Sequence, residues 1–168
     1  MEKENHAIKI YSNKLIERAE KLYKFSLTNW STMTDINSLP SSGNCVYMIS
    51  APSSTQITNI INGVNKCRNN CDKCKCENPI KHFPKINEHN CKDNCVYVGS
   101  TKDLKSRIKQ HFDDRCWGRT YALYLKCYYK EVDLVVKYIK IDDRELMQDV
   151  EDAFWDFYKP ILGRRGQK

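Results

Sequence analysis

Apolar positions recur along this chain with two periods, and the switches between them mark its elements. From residue 12 to 27, Leu15, Ile16, Ala19, Leu22 and Tyr23 return at intervals of three and four, which predicts a helix with Ser12 as its cap. Residues 28–43 are rich in Ser, Thr, Asn, Pro and Gly and predict a loop. Val46-Tyr47-Met48-Ile49 and Cys95-Val96-Tyr97-Val98 are short apolar runs with strand character. A helix is expected from Lys102 to Phe112, capped by Ser100 or Thr101. A short helix is expected from Tyr121 to Cys127, and a strand rich in Val, Ile and Tyr from Val132 to Ile141. The clearest pattern comes last: Leu146, Met147, Val150, Ala153, Phe154 and Phe157 share one helical face, and Pro160 limits the helix beyond it. Strands, intervening helices and a late third strand predict a mixed α/β (α+β) layer fold.

The two apolar runs sit in near-twin tetrapeptides, Asn44-Cys45-Val46-Tyr47 and Asn94-Cys95-Val96-Tyr97. Between them, residues from about 51 to 94 form a long insertion with little hydrophobic periodicity after Val64. A link of that length is uncommon in a compact domain unless it is functional or separately stabilised. The expected organisation is an N-terminal helical extension, 1–42, followed by one domain, 43–168.

Charge and composition narrow the function classes. The chain has 168 residues and a formal charge of +7, which suits a polyanionic partner such as nucleic acid. No apolar run is long enough to span a membrane. Met1 to His6 holds no apolar stretch of a secretory signal, so a cytoplasmic location is expected. Nine cysteines in such a chain point to a reducing compartment. Cys45, Cys95, Cys116 and Cys127 read as small core residues. Cys67, Cys71, Cys74, Cys76 and Cys91 crowd into the insertion with His82 and His89. Thiolates and imidazoles at short spacing suit one structural zinc ion, although the spacing matches no standard finger. The alternative is a flexible lysine- and asparagine-rich loop with free thiols.

The second tetrapeptide runs into Val98-Gly99-Ser100-Thr101 and then Asp103-Leu104, Arg107 and His111. Arg107 and His111 lie about 40° apart on one helical face, with Leu104 and Ile108 on the adjoining arc to anchor it. Glu151 falls about 100° round from Val150, at the edge of the last helix's apolar face. This strand, Gly-Ser-Thr turn and helix resembles the core motif of the GIY-YIG nuclease family. The resemblance covers about residues 43 to 165, excluding the insertion.

That resemblance implies a small three-stranded, mainly antiparallel sheet flanked by helices. It implies Tyr47 and Tyr97 as the two motif tyrosines, Arg107 as the phosphate-holding arginine and His111 as the helix histidine. Glu151, about two and a half turns before Pro160, is then the metal-binding glutamate. Magnesium or manganese suits a lone carboxylate, because water and phosphate oxygens complete its shell. The implied activity is a metal-dependent DNA endonuclease. Gly99, Lys102, Lys105, Arg119, Arg164 and Arg165 are candidates for contact with the substrate. The alternative is a non-catalytic nucleic-acid-binding module of the same fold. Two positions depart from the family pattern: Cys45 stands where glycine is usual, and Gly163 where many members have asparagine.

Overall fold

The computed structural model describes residues 2–25, 30–69, 83–87, 91–112, 122–127 and 133–166. Its elements are α1 (Glu2–Phe25), β1 (Ser31–Thr32), β2 (Cys45–Ser50), α2 (Ser54–Asn69), β3 (Cys95–Thr101), α3 (Leu104–Phe112), β4 (Val135–Lys140) and α4 (Arg144–Tyr158). The strands form one antiparallel sheet in the order β1-β4-β2-β3. The architecture is α+β, with one more strand than expected. The extra strand comprises two residues, Ser31 and Thr32, paired with Tyr138 and Lys137. The sequence gives it no signal, because both residues are exposed.

β2 is the middle of the fold, and all six of its residues are buried. Side chains alternate across a strand, so each face feeds a different core. Cys45, Tyr47 and Ile49 join Leu104, Ile108, Ile57, Ile60 and Val64 on one side. Val46 and Met48 join Val98, Ile139, Leu146 and Val150 on the other, with Leu22, Phe25 and Trp30 packed against them. Burial on both faces explains why β2 reads as a continuous apolar run rather than an alternating one.

The insertion begins with a regular helix, α2, and this corrects the expectation of an irregular link. Ile57, Ile60 and Val64, spaced three and four apart, are its buried face. The Ser53 hydroxyl accepts from the Gln56 N–H at 3.4 Å and caps its start. The excursion also closes on itself. The Ala51 N–H donates to Asn94 O at 2.9 Å, beside Asp93 and Asn94 in the left-handed region. Its return segment, Phe83 to Asn87, lies against the chain that follows α4.

Other boundaries move for identifiable reasons. α1 begins ten residues before the expected start, at Glu2. Ser12 does not cap it, because its hydroxyl donates back to Ile8 O within the helix. α1 is held to α4 by Arg18, which forks onto Asp149 at 2.6–2.9 Å. Asp103 caps α3 by accepting from the Ser106 N–H at 2.8 Å, in place of Ser100 or Thr101. Of the segment expected as a helix before Cys127, Leu125–Cys127 is a single 3₁₀ turn and Tyr121 lies outside the described residues. α4 is capped by Asp143 and ends where Lys159 turns left-handed, immediately before Pro160. No described helix is long and apolar enough to cross a membrane.

A helix that fills the core cannot be trimmed like a loop. Ile60→Ala should therefore destabilise the protein by about 2–5 kcal/mol, measured by urea denaturation, whereas a loop residue would cost almost nothing.

Candidate active site

The register of β2 on β3 sets Tyr47 opposite Gly99 and Ile49 opposite Tyr97. The two tyrosines therefore leave the same face of the sheet, with ring centroids 5.9 Å apart. They can converge only because residue 99 is glycine. A Cβ there would lie 2.5 Å from Tyr97 Cε1 and 2.8 Å from Tyr47 Oη. Gly163 flanks the other edge of the Tyr97 ring: its φ is +101°, and a Cβ would lie 2.9 Å from Cε2. The departure at residue 163 thus has a steric meaning in this chain.

α3 supplies the next layer. Leu104 and Ile108 are fully buried and seat the helix on the sheet. That turns His111 inward, where it is also fully buried. Its Nε2 lies 2.7 Å from Tyr47 Oη, and its Nδ1 accepts the Leu123 N–H at 3.0 Å. The second bond settles the tautomer. A backbone N–H can only donate, so Nδ1 carries no proton and Nε2–H donates to the phenol oxygen. Burial, with Arg107 nearby, holds the His111 pKa well below its ordinary value, so the ring stays neutral.

Arg107, one turn earlier on α3, donates through Nη1 to Gln110 Oε1 at 3.1 Å and lies near enough to both phenols to interact with them electrostatically. Burial lowers its pKa, but the two phenols outweigh that and the net shift is upward. The guanidinium is therefore a permanent positive charge near the two hydroxyls. Burial raises the pKa of both tyrosines, and that of Tyr47 strongly; Arg107 opposes the rise at each. Tyr47 has no exposed surface, whereas Tyr97 is partly exposed.

Glu151 enters from α4 on the opposite side of the sheet. It is 7% exposed. Burial raises its pKa, while a hydrogen bond from Ser100 and the charge of Arg107 oppose the rise. Ser100 follows Gly99, so strand alternation turns it toward α4 while Gly99 faces the phenols. The fold thus gathers Tyr47, Tyr97, Arg107, His111 and Glu151 around the β3–α3 corner.

The outer candidates are more scattered. Lys102 and Arg164 are exposed. The Lys105 ammonium lies 3.4 Å from Asn37 O, and Arg165 pairs with Asp156 at 2.7 Å on the surface. Arg119 lies outside the described residues, as do Cys71, Cys74, Cys76, His82 and His89. Cys67 and Cys91 are described and only partly exposed; the Cys67 thiol donates to Cys127 O at 3.5 Å. Among the described residues, no three acidic, cysteine or histidine side chains form a metal-binding group.

Three contributors escaped the sequence reading. The Leu123 N–H carries no side-chain signal. Ser100 could have been found from its parity opposite Gly99. Asn87, buried within a polar insertion, bonds to Pro160 O and Gly163 O.

Because the folded state raises the Glu151 pKa, its ionised form is disfavoured there. That contribution to stability is full below the unfolded carboxylate pKa and is lost as pH rises through the folded value. Glu151→Gln should therefore raise the melting temperature of metal-free protein at neutral pH. The gain should fade at acidic pH, as followed by thermal melts in chelator.

Residues 86–164 match the sequence model of the GIY-YIG catalytic domain. The match begins in the insertion's return segment and takes in β3, α3, β4 and α4, with Tyr97, Arg107, His111 and Glu151. β2, which bears Tyr47, precedes it and is paired between β3 and β4. No curated protein and no solved structure gives a significant match. Over residues 86–164, a little under half of its length, this chain is similar to the GIY-YIG catalytic domain.

Proposed function

We propose that this protein is a metal-dependent endonuclease that hydrolyses phosphodiester bonds in DNA. The observation that carries the reading is the pair of converging phenols, ring centroids 5.9 Å apart, with the Arg107 cation beside them, in a sequence that matches a nuclease-type catalytic domain. Hydrolysis needs an activated water, stabilisation of charge on the phosphate and relief of the leaving oxygen. The Arg107 fork holds a non-bridging phosphate oxygen. Tyr97, the partly exposed phenol, orients the attacking water and takes its proton as the phenolate, a form that burial disfavours and that the charge of Arg107 partly restores. Tyr47 does not meet water; it links Tyr97 to His111. His111 stays neutral and keeps Tyr47 in place through Nε2–H.

Glu151 fits a divalent metal as a single, buried carboxylate beside Ser100, with the remaining positions left to water and substrate oxygens. Magnesium or manganese bound there would supply Lewis-acid stabilisation of the charge developing on the leaving oxygen. The net charge of +7 draws the enzyme to the DNA backbone without reading sequence. We place the protein in the cytoplasm.

Tyr97→Phe should lower kcat for magnesium-dependent plasmid nicking by about 10²–10⁴ with DNA binding retained. Arg107→Lys should be comparably impaired, because an ammonium cannot replace a bidentate fork. Near-normal turnover in folded Tyr97→Phe would reassign the base, and in Arg107→Lys it would reduce the arginine to a general positive charge.

The insertion's cysteines belong, in this reading, to a separate structural zinc site, since thiolates select zinc and a lone carboxylate does not. The ligands are four of Cys67, Cys71, Cys74, Cys76, His82, His89 and Cys91. Zinc would offset the ordering entropy of a segment with few apolar residues, contributing about 10 kcal/mol or more in small zinc peptides. Protein purified without chelator should contain about one zinc per chain by elemental analysis; less than about a tenth of an equivalent would leave the site without support.

A further inference from the structure

We propose that Asn87 is a positioning residue for Tyr97, acting through the segment Pro160 to Gly163. The inference rests on the reading of Tyr97 as the phenol that meets water.

Asn87 is 7% exposed although it lies in the polar insertion. A buried amide is costly unless its donors are used. Here the Asn87 Nδ2 donates to Pro160 O at 2.9 Å and to Gly163 O at 3.2 Å. Both acceptors are carbonyls, so the amide's orientation is fixed by chemistry: only its NH₂ end can face them.

The backbone around this amide already forms a ribbon. The Asn87 N–H donates to Ile161 O at 2.8 Å, and the Gly163 N–H to Lys85 O at 2.9 Å. Ile86 bridges Leu162. On its other side the same segment pairs with β3, through Ile161 N–H to Cys95 O and Leu162 N–H to Val96 O. The ribbon sets where the segment lies. The Asn87 side chain adds control over how its peptide planes are turned, because it binds the carbonyls of its first and last residues.

That orientation matters at one place. Gly163 has φ +101° and sits so close to the Tyr97 ring that a Cβ would lie 2.9 Å from Cε2 and 3.1 Å from Cδ2. On the ring's other edge stands Gly99, where a Cβ would lie 2.5 Å from Cε1. The ring is therefore gripped between two backbone walls. Gly99 is fixed by the β2–β3 pairing. The Gly163 wall depends on Asn87, and if it rotates, the phenol gains freedom where a near-attack geometry allows little.

The test uses the full chain with Asn87→Asp and Asn87→Ser. Aspartate keeps the shape but loses both donors; serine keeps one donor on a smaller side chain. Two readouts are taken. The Tyr97 ring resonances, identified by comparison with Tyr97→Phe, should shift or broaden in Asn87→Asp and less so in Asn87→Ser. The His111 Nε2–H resonance that reports on Tyr47 should stay unchanged. In magnesium-dependent cleavage, kcat should fall by about 10- to 100-fold in Asn87→Asp with KM for DNA held.

Unchanged Tyr97 signals in folded Asn87→Asp would overturn the proposal, as would a rise in KM with kcat intact. Equal loss of all aromatic dispersion in both variants would make Asn87 a general stability residue and overturn it too. If the unsubstituted protein cleaves no DNA, the nuclease reading fails, and the ring resonances still decide whether Asn87 positions Tyr97.

Discussion

The site depends on one hydrogen bond that uses no side chain on its donor side: the Leu123 N–H to His111 Nδ1. It strips that nitrogen of its proton and commits Nε2–H to Tyr47 Oη. Protonating the ring would oppose two N–H groups at 3.0 Å, in addition to placing a cation beside Arg107. Geometry and electrostatics thus push the same way. A histidine so held does not shuttle protons at neutral pH. It acts as a rigid donor, and Tyr47 receives from it an orientation that a freely rotating phenol would lack. Because the unfolded ring protonates near its ordinary pKa and the folded one does not, this arrangement is sacrificed as the medium becomes acidic.

Around that bond the sheet arranges an unequal pair. Tyr47 and Tyr97 have the same chemistry, a shared face and a common neighbour in Arg107. Tyr47 lies at the centre of the sheet, and Tyr97 at β3, where the neighbouring cover is the Pro160–Gly163 segment. Strand order, rather than residue type, separates the solvent-facing phenol from the supporting one. Glu151 joins the same corner from α4, beside Ser100, which leaves β3 on the face opposite Gly99. A one-residue slip of β3 would exchange those faces and dismantle both halves.

Much of this was legible in the sequence. The α3 spacing placed Leu104 and Ile108 in the core and carried Arg107 and His111 toward the tyrosines. The α4 stripe placed Glu151 at the edge of the apolar face. What remained hidden falls into physical classes. β1 is two exposed residues and has no burial pattern to betray it. α2 is hard to see because the rest of the insertion is polar and cysteine-rich, although Ile57, Ile60 and Val64 keep helical spacing. Ser12 competes for a cap on paper, yet in a helix its hydroxyl is satisfied by the preceding turn. Leu123 acts through its backbone and Asn87 through a fold-back, and neither is local in sequence.

The hydrogen bond between Ala51 and Asn94 bears on how the chain reaches this state. β2 and β3 form the antiparallel pair that bears both tyrosines, a contact that usually closes over a tight turn. Here residues 51–94 separate them, and closing such a loop costs about 2 kcal/mol more than closing one a tenth as long. This pairing is therefore a late, non-local event unless something shortens the effective loop. α2 does so, because docking Ile60 and Val64 against the β2 core removes sixteen residues from the search as one rigid rod. The helix that interrupts the domain in sequence is thereby the element that brings its two tyrosine-bearing strands within reach of each other.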